Sequence, residues 1–474
     1  MQNTDHIRAA VEQHQPDLIA LSDRVWGMPE VLYAEYRSCA EHTAMLHEKG
    51  FRVTEEVAGI PTAVIAEAGE GGPVIAILGE YDALPGLSQV AGIAEPRPQE
   101  PGGAGHGCGH NLLGSAALLA ACALKDWLEK TGTPGRVRYY GCPAEEGGAA
   151  KAFMVRDGAF DDVAAAITWH PASMTMVDDA RSLANTRMDF VFTGRASHAA
   201  AAPHLGRSAL DAAELMSSGV NYLREHVPDG SRIHYAYLDA GGTAPNVVQA
   251  RTKVRYAIRS TSLSGMRALN ERVKKVAQGA AMMTETQVDI SIMSAVSNLM
   301  GNPPLEEAMQ SALDELGGVP FDAADRAYAS EIQATLSAED IDAAYNGVGM
   351  AVRADEPLCD YVVPMSAHSK AMMGSTDVAD VSWKVPTVQA RVATCAIGTP
   401  GHSWQLTAQG KSPAAHKGMV HAAMAMGIVG RMLLSDAALL ERARKDHAER
   451  LAHEPYICPI PDDVRPPLQP RPAA

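Results

Sequence analysis

Hydrophobic positions change their spacing along the chain, and the changes divide it. Over residues 1–184, short β-rich apolar runs alternate with longer apolar stretches of helical period. Residues 51–57, 62–67, 73–79, 136–141 and 164–169 are predicted strands. Residues 18–28 and the Ala/Leu-rich stretch 111–130 are predicted helices. Strands interleaved with helices predict an α/β fold, a central mixed sheet covered by helices.

The texture changes near residue 185. Strand-like 186–193, helical 208–225, strand-like 232–238 and 247–258, helical 264–282 and strand-like 287–293 follow in turn. The order β-α-β-β-α-β, with Gly241-Gly242 at its central turn, predicts an inserted ferredoxin-like α+β unit over 185–296. Helical spacing returns at 305–316 and 414–434, with a strand at 388–397. The expected division is a catalytic domain in two parts, 1–184 and 297–474, interrupted by the insertion. Residues 321–366 carry few signals and read as a second insertion or a lid. The proline-rich tail, 455–474, reads as extended or disordered.

Charge narrows the partners. Among 474 residues the formal net charge is −16, and no Lys/Arg-rich run offsets it, so nucleic acid is not an expected partner. Residues 1–20 read as a polar amphipathic helix rather than a leader, and no apolar run is long enough to span a membrane. Seven scattered cysteines suggest reduced thiols and a cytoplasmic setting.

Four loops carry candidate chemistry, each after a predicted strand or leading into a helix. Gly105-His106-Gly107-Cys108-Gly109-His110-Asn111 packs soft and borderline metal donors into a turn that glycine makes sharp, with Asn111 as the predicted helix N-cap. In Pro143-Ala144-Glu145-Glu146, adjacent carboxylates point apart, so one can face a metal and the other a water as general base. His170 in Trp169-His170-Pro171 and His402 in Gly401-His402-Ser403-Trp404 are single histidines. Each taken alone also fits a core or loop residue. Together the four loops supply enough donors for two tetrahedral sites that share one ligand.

These segments, in this order, resemble the metallopeptidase family of aminoacylases, glutamate carboxypeptidases and indoleacetyl-amino-acid hydrolases. Within it they are similar to the aminobenzoyl-glutamate utilisation protein B group. The resemblance extends to residues 79–92, 203–212, 245–250, 374–386, 415–419 and the terminal Cys-Pro-Ile-Pro at 458–461.

The resemblance implies Cys108 as a bridging thiolate, His110, Glu146, His170 and His402 as the other metal ligands, and Glu145 as general base. It implies Asp82 as the carboxylate that steadies a ligand. Glu80 stands where the carboxypeptidase branch has a histidine ligand and is not counted among them. His198 resembles a histidine that crosses a dimer interface to the oxyanion. Asn246 and Arg259 resemble residues that bind the substrate carboxylate, and Arg207 is a candidate for a second one. The implied cofactors are two divalent ions, Zn²⁺ or Mn²⁺. The implied substrate is an N-acyl amino acid, p-aminobenzoyl-glutamate first, with indoleacetyl-aspartate as an alternative. The implied assembly is a homodimer or a heteromer with a paralogous chain. The remaining reading is a non-catalytic partner of a paralogous hydrolase.

Overall fold

The run Val74–Glu80 is buried at every position because it is the middle strand of a seven-stranded sheet with both faces covered. Its side chains alternate between two apolar cores: Ile75 and Ile77 enter one, and Val74, Ala76 and Leu78 the other. In the computed structural model, residues 4–178, 180–353, 355–367 and 374–471 are described.

The strands are β1 (Arg52–Glu55), β2 (Val64–Glu70), β3 (Val74–Glu80), β4 (Gly135–Cys142), β5 (Val163–Ala172), β6 (Met176–Val177), β7 (Ala184–Thr193), β8 (Arg232–Asp239), β9 (Arg251–Ser260), β10 (Gln287–Val296) and β11 (Thr387–Ala393). The large sheet has the order β1-β2-β4-β3-β5-β11-β6. Its β3–β4, β3–β5 and β5–β11 pairs are parallel, whereas β1–β2, β2–β4 and β11–β6 are antiparallel. The C-terminal ends of four parallel strands therefore gather on one edge, the usual place for a site in an open α/β sheet.

The helices are α1 (Thr4–Trp26), α2 (Tyr36–Glu48), α3 (His110–Thr131), α4 (Ala150–Arg156), α5 (Ala209–Leu223), α6 (Leu263–Thr284), α7 (Pro303–Leu316), α8 (Ala323–Gln333), α9 (Ala338–Gly347), α10 (Val378–Lys384), α11 (Trp404–Gln409), α12 (Pro413–Ser435) and α13 (Ala437–His453). Helices α1, α3 and α12 contribute to one core, and α4 and α10 to the other. By length and composition α12 alone could cross a membrane, among the described residues. Most of its apolar positions are instead buried inside the protein.

The elements from Ala184 to Val296 make a separate antiparallel sheet, β10-β7-β9-β8, with α5 and α6 on one face. Met188, Phe190 and Phe192 point into that helix-covered core. The other face of β7 and β9 is therefore polar. The two ends of the unit are neighbours, since Asn185 pairs with Val296.

Three expectations need correction. The strand predicted at 247–258 begins only at Arg251. Before it, the backbone pairs with the loop that holds His198: Val248 N–H donates to Ser197 O at 3.0 Å, and Ala199 N–H to Asn246 O at 2.9 Å. Residues 321–366 contain α8 and α9, each opened by a capping box, Asp322 with Asp325 and Ser337 with Asp340. They brace the loop after β11: Gln333 donates to Ile397 O at 3.0 Å. Asn111 is inside α3 rather than its cap, and its amide donates to Ser22 Oγ and Gly410 O, both at 3.0 Å. The described part of the proline-rich tail, residues 455–471, is without helix or strand and is tied by Arg156 to the carbonyls of Pro461 and Val464.

Candidate active site

Each cluster residue is delivered by the end of a central strand or by the turn into α3. Glu80 ends β3, with Asp82 two residues on. Glu145 and Glu146 follow β4, His170 lies near the end of β5, and His402 is on the loop after β11. The turn into α3 depends on Gly109, which has φ +79° and would press a Cβ to 3.0 Å from the Pro171 ring. His402 itself has a left-handed backbone, φ 55°, and its N–H donates to Gly107 O at 2.9 Å, which joins the two metal-facing loops.

The donors converge. Cys108 Sγ lies 3.4 Å from His170 Nε2. Glu146 Oε2 lies 3.3 Å from His402 Nε2, and its Oε1 lies 4.0 Å from His110 Nε2. Three overlapping groups have all their ligand atoms within 4.8 Å of one another: Cys108/His110/His170, Cys108/Glu146/His402 and Glu80/His110/Glu145. Cys108 belongs to the first two groups, which is the arrangement a bridging sulfur requires. Asp82 accepts from His110 Nδ1 at 2.8 Å and from the Glu146 N–H at 2.9 Å. It thereby turns His110 Nε2 inward. That Nε2 and Glu146 Oε1 are buried without a hydrogen-bond partner in the described structure. Convergent N, O and S donors, two of them buried without a hydrogen bond, fit divalent cations, and tetrahedral sites of this donor chemistry suit Zn²⁺.

The local charges point the same way. Burial, together with Glu80, Glu146 and Asp377, pushes the Glu145 carboxyl well above the ordinary carboxylate range, against the opposing charge of His110. Burial also pushes the Cys108 thiol up, with Glu146 and Glu145 adding to the effect. A cation at this point would act in the opposite direction on both groups and favour the thiolate and the carboxylate.

Two supports carried no sequence signal. Lys151, fully buried in α4, places Nζ 2.6 Å from Glu80 Oε1 and 2.6 Å from Asp377 Oδ1. Glu35, also buried, accepts from the N–H groups of Tyr33 at 2.9 Å and Ala144 at 3.1 Å. It steadies the turn that carries Glu145. Burial and the Asp82 charge raise the Glu35 carboxyl to about 8.

Beside Glu145 and Glu146 a cleft of about 200 Å³ opens between the two sheets. Its wall includes Asn185, Arg187, Arg259, Ser375 and Asp377. Arg259 donates to Ser375 Oγ at 3.3 Å. The other expected residues do not join it. His198 and Asn246 are exposed on neighbouring turns of the small unit, where His198 Nδ1 accepts from the Ala201 N–H at 3.1 Å. Arg207 is paired with Glu285 at 2.9 Å and donates to the Gly206 and His204 carbonyls, so its guanidinium is used in shaping that loop. His106 is buried, with Nε2 3.1 Å from Val25 O and its pKa lowered to about 3 chiefly by burial. It is a structural histidine.

Known proteins resemble this chain in sequence and in fold. The family model described as peptidase family M20/M25/M40 matches residues 76–404. The B component of the p-aminobenzoyl-glutamate hydrolase of Escherichia coli (strain K12) is 45% identical over 467 residues, 96% of this chain and 97% of that protein. The A component of the same hydrolase is 30% identical over 271 residues, 54% of this chain and 61% of that one. A dinuclear metal-binding peptidase of the M20 family from Bacillus subtilis superposes with TM-score 0.55 at 18% identity, covering 87% of this chain and 98% of that one, a likeness of fold.

Proposed function

The chain belongs to peptidase family M20/M25/M40 and is a hydrolase of amide bonds, and from its site we propose that it cleaves N-acyl amino acids at a two-metal centre, with p-aminobenzoyl-glutamate as its substrate. The observation that carries this reading is the position of Glu145. It lies beside the donor groups and also lines the cleft with Arg187 and Arg259, so a carboxylate-bearing amide held by the arginines would present its scissile bond to the base.

Cys108, His110, Glu146, His170 and His402 would hold the ions, Zn²⁺ or Mn²⁺. Bound there, they supply Lewis acidity to the amide oxygen and acidify a water. Glu145 would take a proton from the attacking water and return it to the leaving amine. Asp82 fixes the orientation of His110 and the Glu146 backbone throughout. Arg259 binds the substrate carboxylate.

The assembly is part of the proposal. His198 and Asn246 are exposed and lie outside the cleft of their own chain. This supports a pairing in which the small unit acts as a lid and supplies them to a second chain, either another copy or a paralogue. There His198 would donate to the oxyanion.

A release assay over matched N-acyl-glutamates and N-acyl-aspartates, in metal-free buffer and with Zn²⁺ or Mn²⁺ restored, tests the reading. Metal-dependent release of p-aminobenzoate and glutamate is expected. Turnover that survives chelation, or turnover only of substrates without a free carboxylate, would overturn it.

A further inference from the structure

The polar face of the inserted sheet carries a second arginine that motif comparison did not single out. On β7, Asn185 and Arg187 share the face opposite the helix-covered core, because Met188 and Phe190 point the other way. Arg259 stands directly across from Asn185 on β9, and Ala257 across from Arg187. Arg187 and Arg259 are therefore diagonal neighbours, roughly 7–8 Å apart at the backbone. Both line the cleft beside Glu145, and between them Asn185 is buried with its Oδ1 unpartnered.

Farther along the same face, Asp189 is paired with Arg255 at 2.6 Å and Lys253 at 2.6 Å. Arg187 has no such partner: among the described residues it makes no ion pair, and its donors reach only the Gly147 carbonyl at 3.2 Å and the Glu146 carbonyl at 3.5 Å. The approach is close enough that a Cβ on Gly147 would lie 2.3 Å from Arg187 Nη1. A half-buried guanidinium that touches only carbonyls retains most of its capacity for an anion.

We propose that Arg187 and Arg259 form a two-pronged anion site, in which Arg259 takes the α-carboxylate and Arg187 the side-chain carboxylate of the amino-acid half, so that the cleft selects acidic amino acids, glutamate or aspartate, over neutral ones. This rests on the amidohydrolase reading above and specifies its substrate class. The spacing supports two separate carboxylates rather than one, because diagonal positions bring two forks side by side without merging them. Both guanidiniums are partly buried in the cleft, and partial desolvation strengthens a charged hydrogen bond.

The test uses the metal-loaded full-length protein with Arg187→Ala, Arg187→Lys and Arg259→Ala. Three substrates share one acyl group: the N-acyl-glutamate, its γ-amide and its α-amide. In Arg187→Ala, kcat/KM for the glutamate should fall about 10–100-fold. It should fall far less for the γ-amide, so the preference for acid over γ-amide collapses. Arg187→Lys should restore part of that preference. Arg259→Ala should instead erase the preference for acid over α-amide.

Binding gives a readout without turnover. Glutarate should bind the wild-type protein more tightly than butyrate in calorimetry, and that difference should vanish in Arg187→Ala. If acid and γ-amide fall equally and glutarate binding is unchanged, Arg187 only holds the Gly147 carbonyl and the inference is overturned. If no N-acyl amino acid is hydrolysed by the wild type, the amidohydrolase substrate reading fails on its own, and the glutarate result still decides the role of Arg187.

Discussion

Lys151 holds Glu80: its ammonium lies 2.6 Å from one oxygen of that carboxylate, while the other oxygen lies 3.2 Å from His110 Nε2. Glu80 thus stands at a ligand position with half of its capacity already engaged. Lys151 also bonds Asp377 at 2.6 Å, so one buried cation serves two buried anions. Breaking such a group on one side leaves uncompensated charge, at about 3–5 kcal/mol. Lys151→Met is therefore expected to lower the midpoint of urea unfolding sharply, and adding Asp377→Asn should recover part of the loss. A single variant as stable as the wild type would mean that the pair is not charged.

Glu145→Gln removes the base while keeping its shape. Turnover should fall about 10²–10⁴-fold, with metal content unchanged. Mass spectrometry of the dialysed protein, run beside steady-state kinetics, separates the two effects. Loss of both ions would make Glu145 a ligand instead.

Cys108 belongs to two of the three donor groups, whereas His106 bonds only a carbonyl of α1. Cys108→Ser should weaken metal retention by at least ~10–100-fold, the scale seen when even a supporting partner is lost. His106→Ala should retain metal and lose stability. Equal metal loss in the two variants would remove the case for a shared sulfur.

His198 and Glu145 act from different chains in the proposed assembly. His198→Ala and Glu145→Gln should each be nearly inactive alone. Mixed and allowed to exchange partners, they should recover up to about one quarter of wild-type activity, because random pairing gives one intact site in half of the dimers. If mixing restores nothing while exchange is verified by native mass spectrometry, His198 serves its own chain or none.

Much of this site was legible because its donors sit in short loops at strand ends, where residue type and spacing are local facts. Lys151 was not legible. In the run Gly147-Gly148-Ala149-Ala150-Lys151 it resembles any lysine on a helix surface, and its partner Asp377 is 226 positions away. Arg187 was hidden for a related reason: a charged residue in an alternating strand reads as a solvent-facing position, and only the cleft shows what it faces. Helices α8 and α9 did carry readable signals in Asp322/Asp325 and Ser337/Asp340, but their few buried apolar positions masked the helical period. The fold class followed from interleaved strands and helices. The pairing of β11 beside β5 did not, since nothing local specifies a partner so distant in the chain.

That pairing bears on how the protein comes together during synthesis. β11 must close onto β5 across the entire intervening chain, and the entropy of such a closure grows with the length of the loop. The insertion lies within that loop and brings its own ends side by side, Asn185 against Val296. Once folded, it removes roughly half of the residues from the loop and lowers the closure cost by about 0.6 kcal/mol. It emerges from the ribosome before β11 and can fold from contacts of its own. The donor set stays open at His402 until that late strand docks, so the nascent chain cannot complete its metal centre before the insertion has been made.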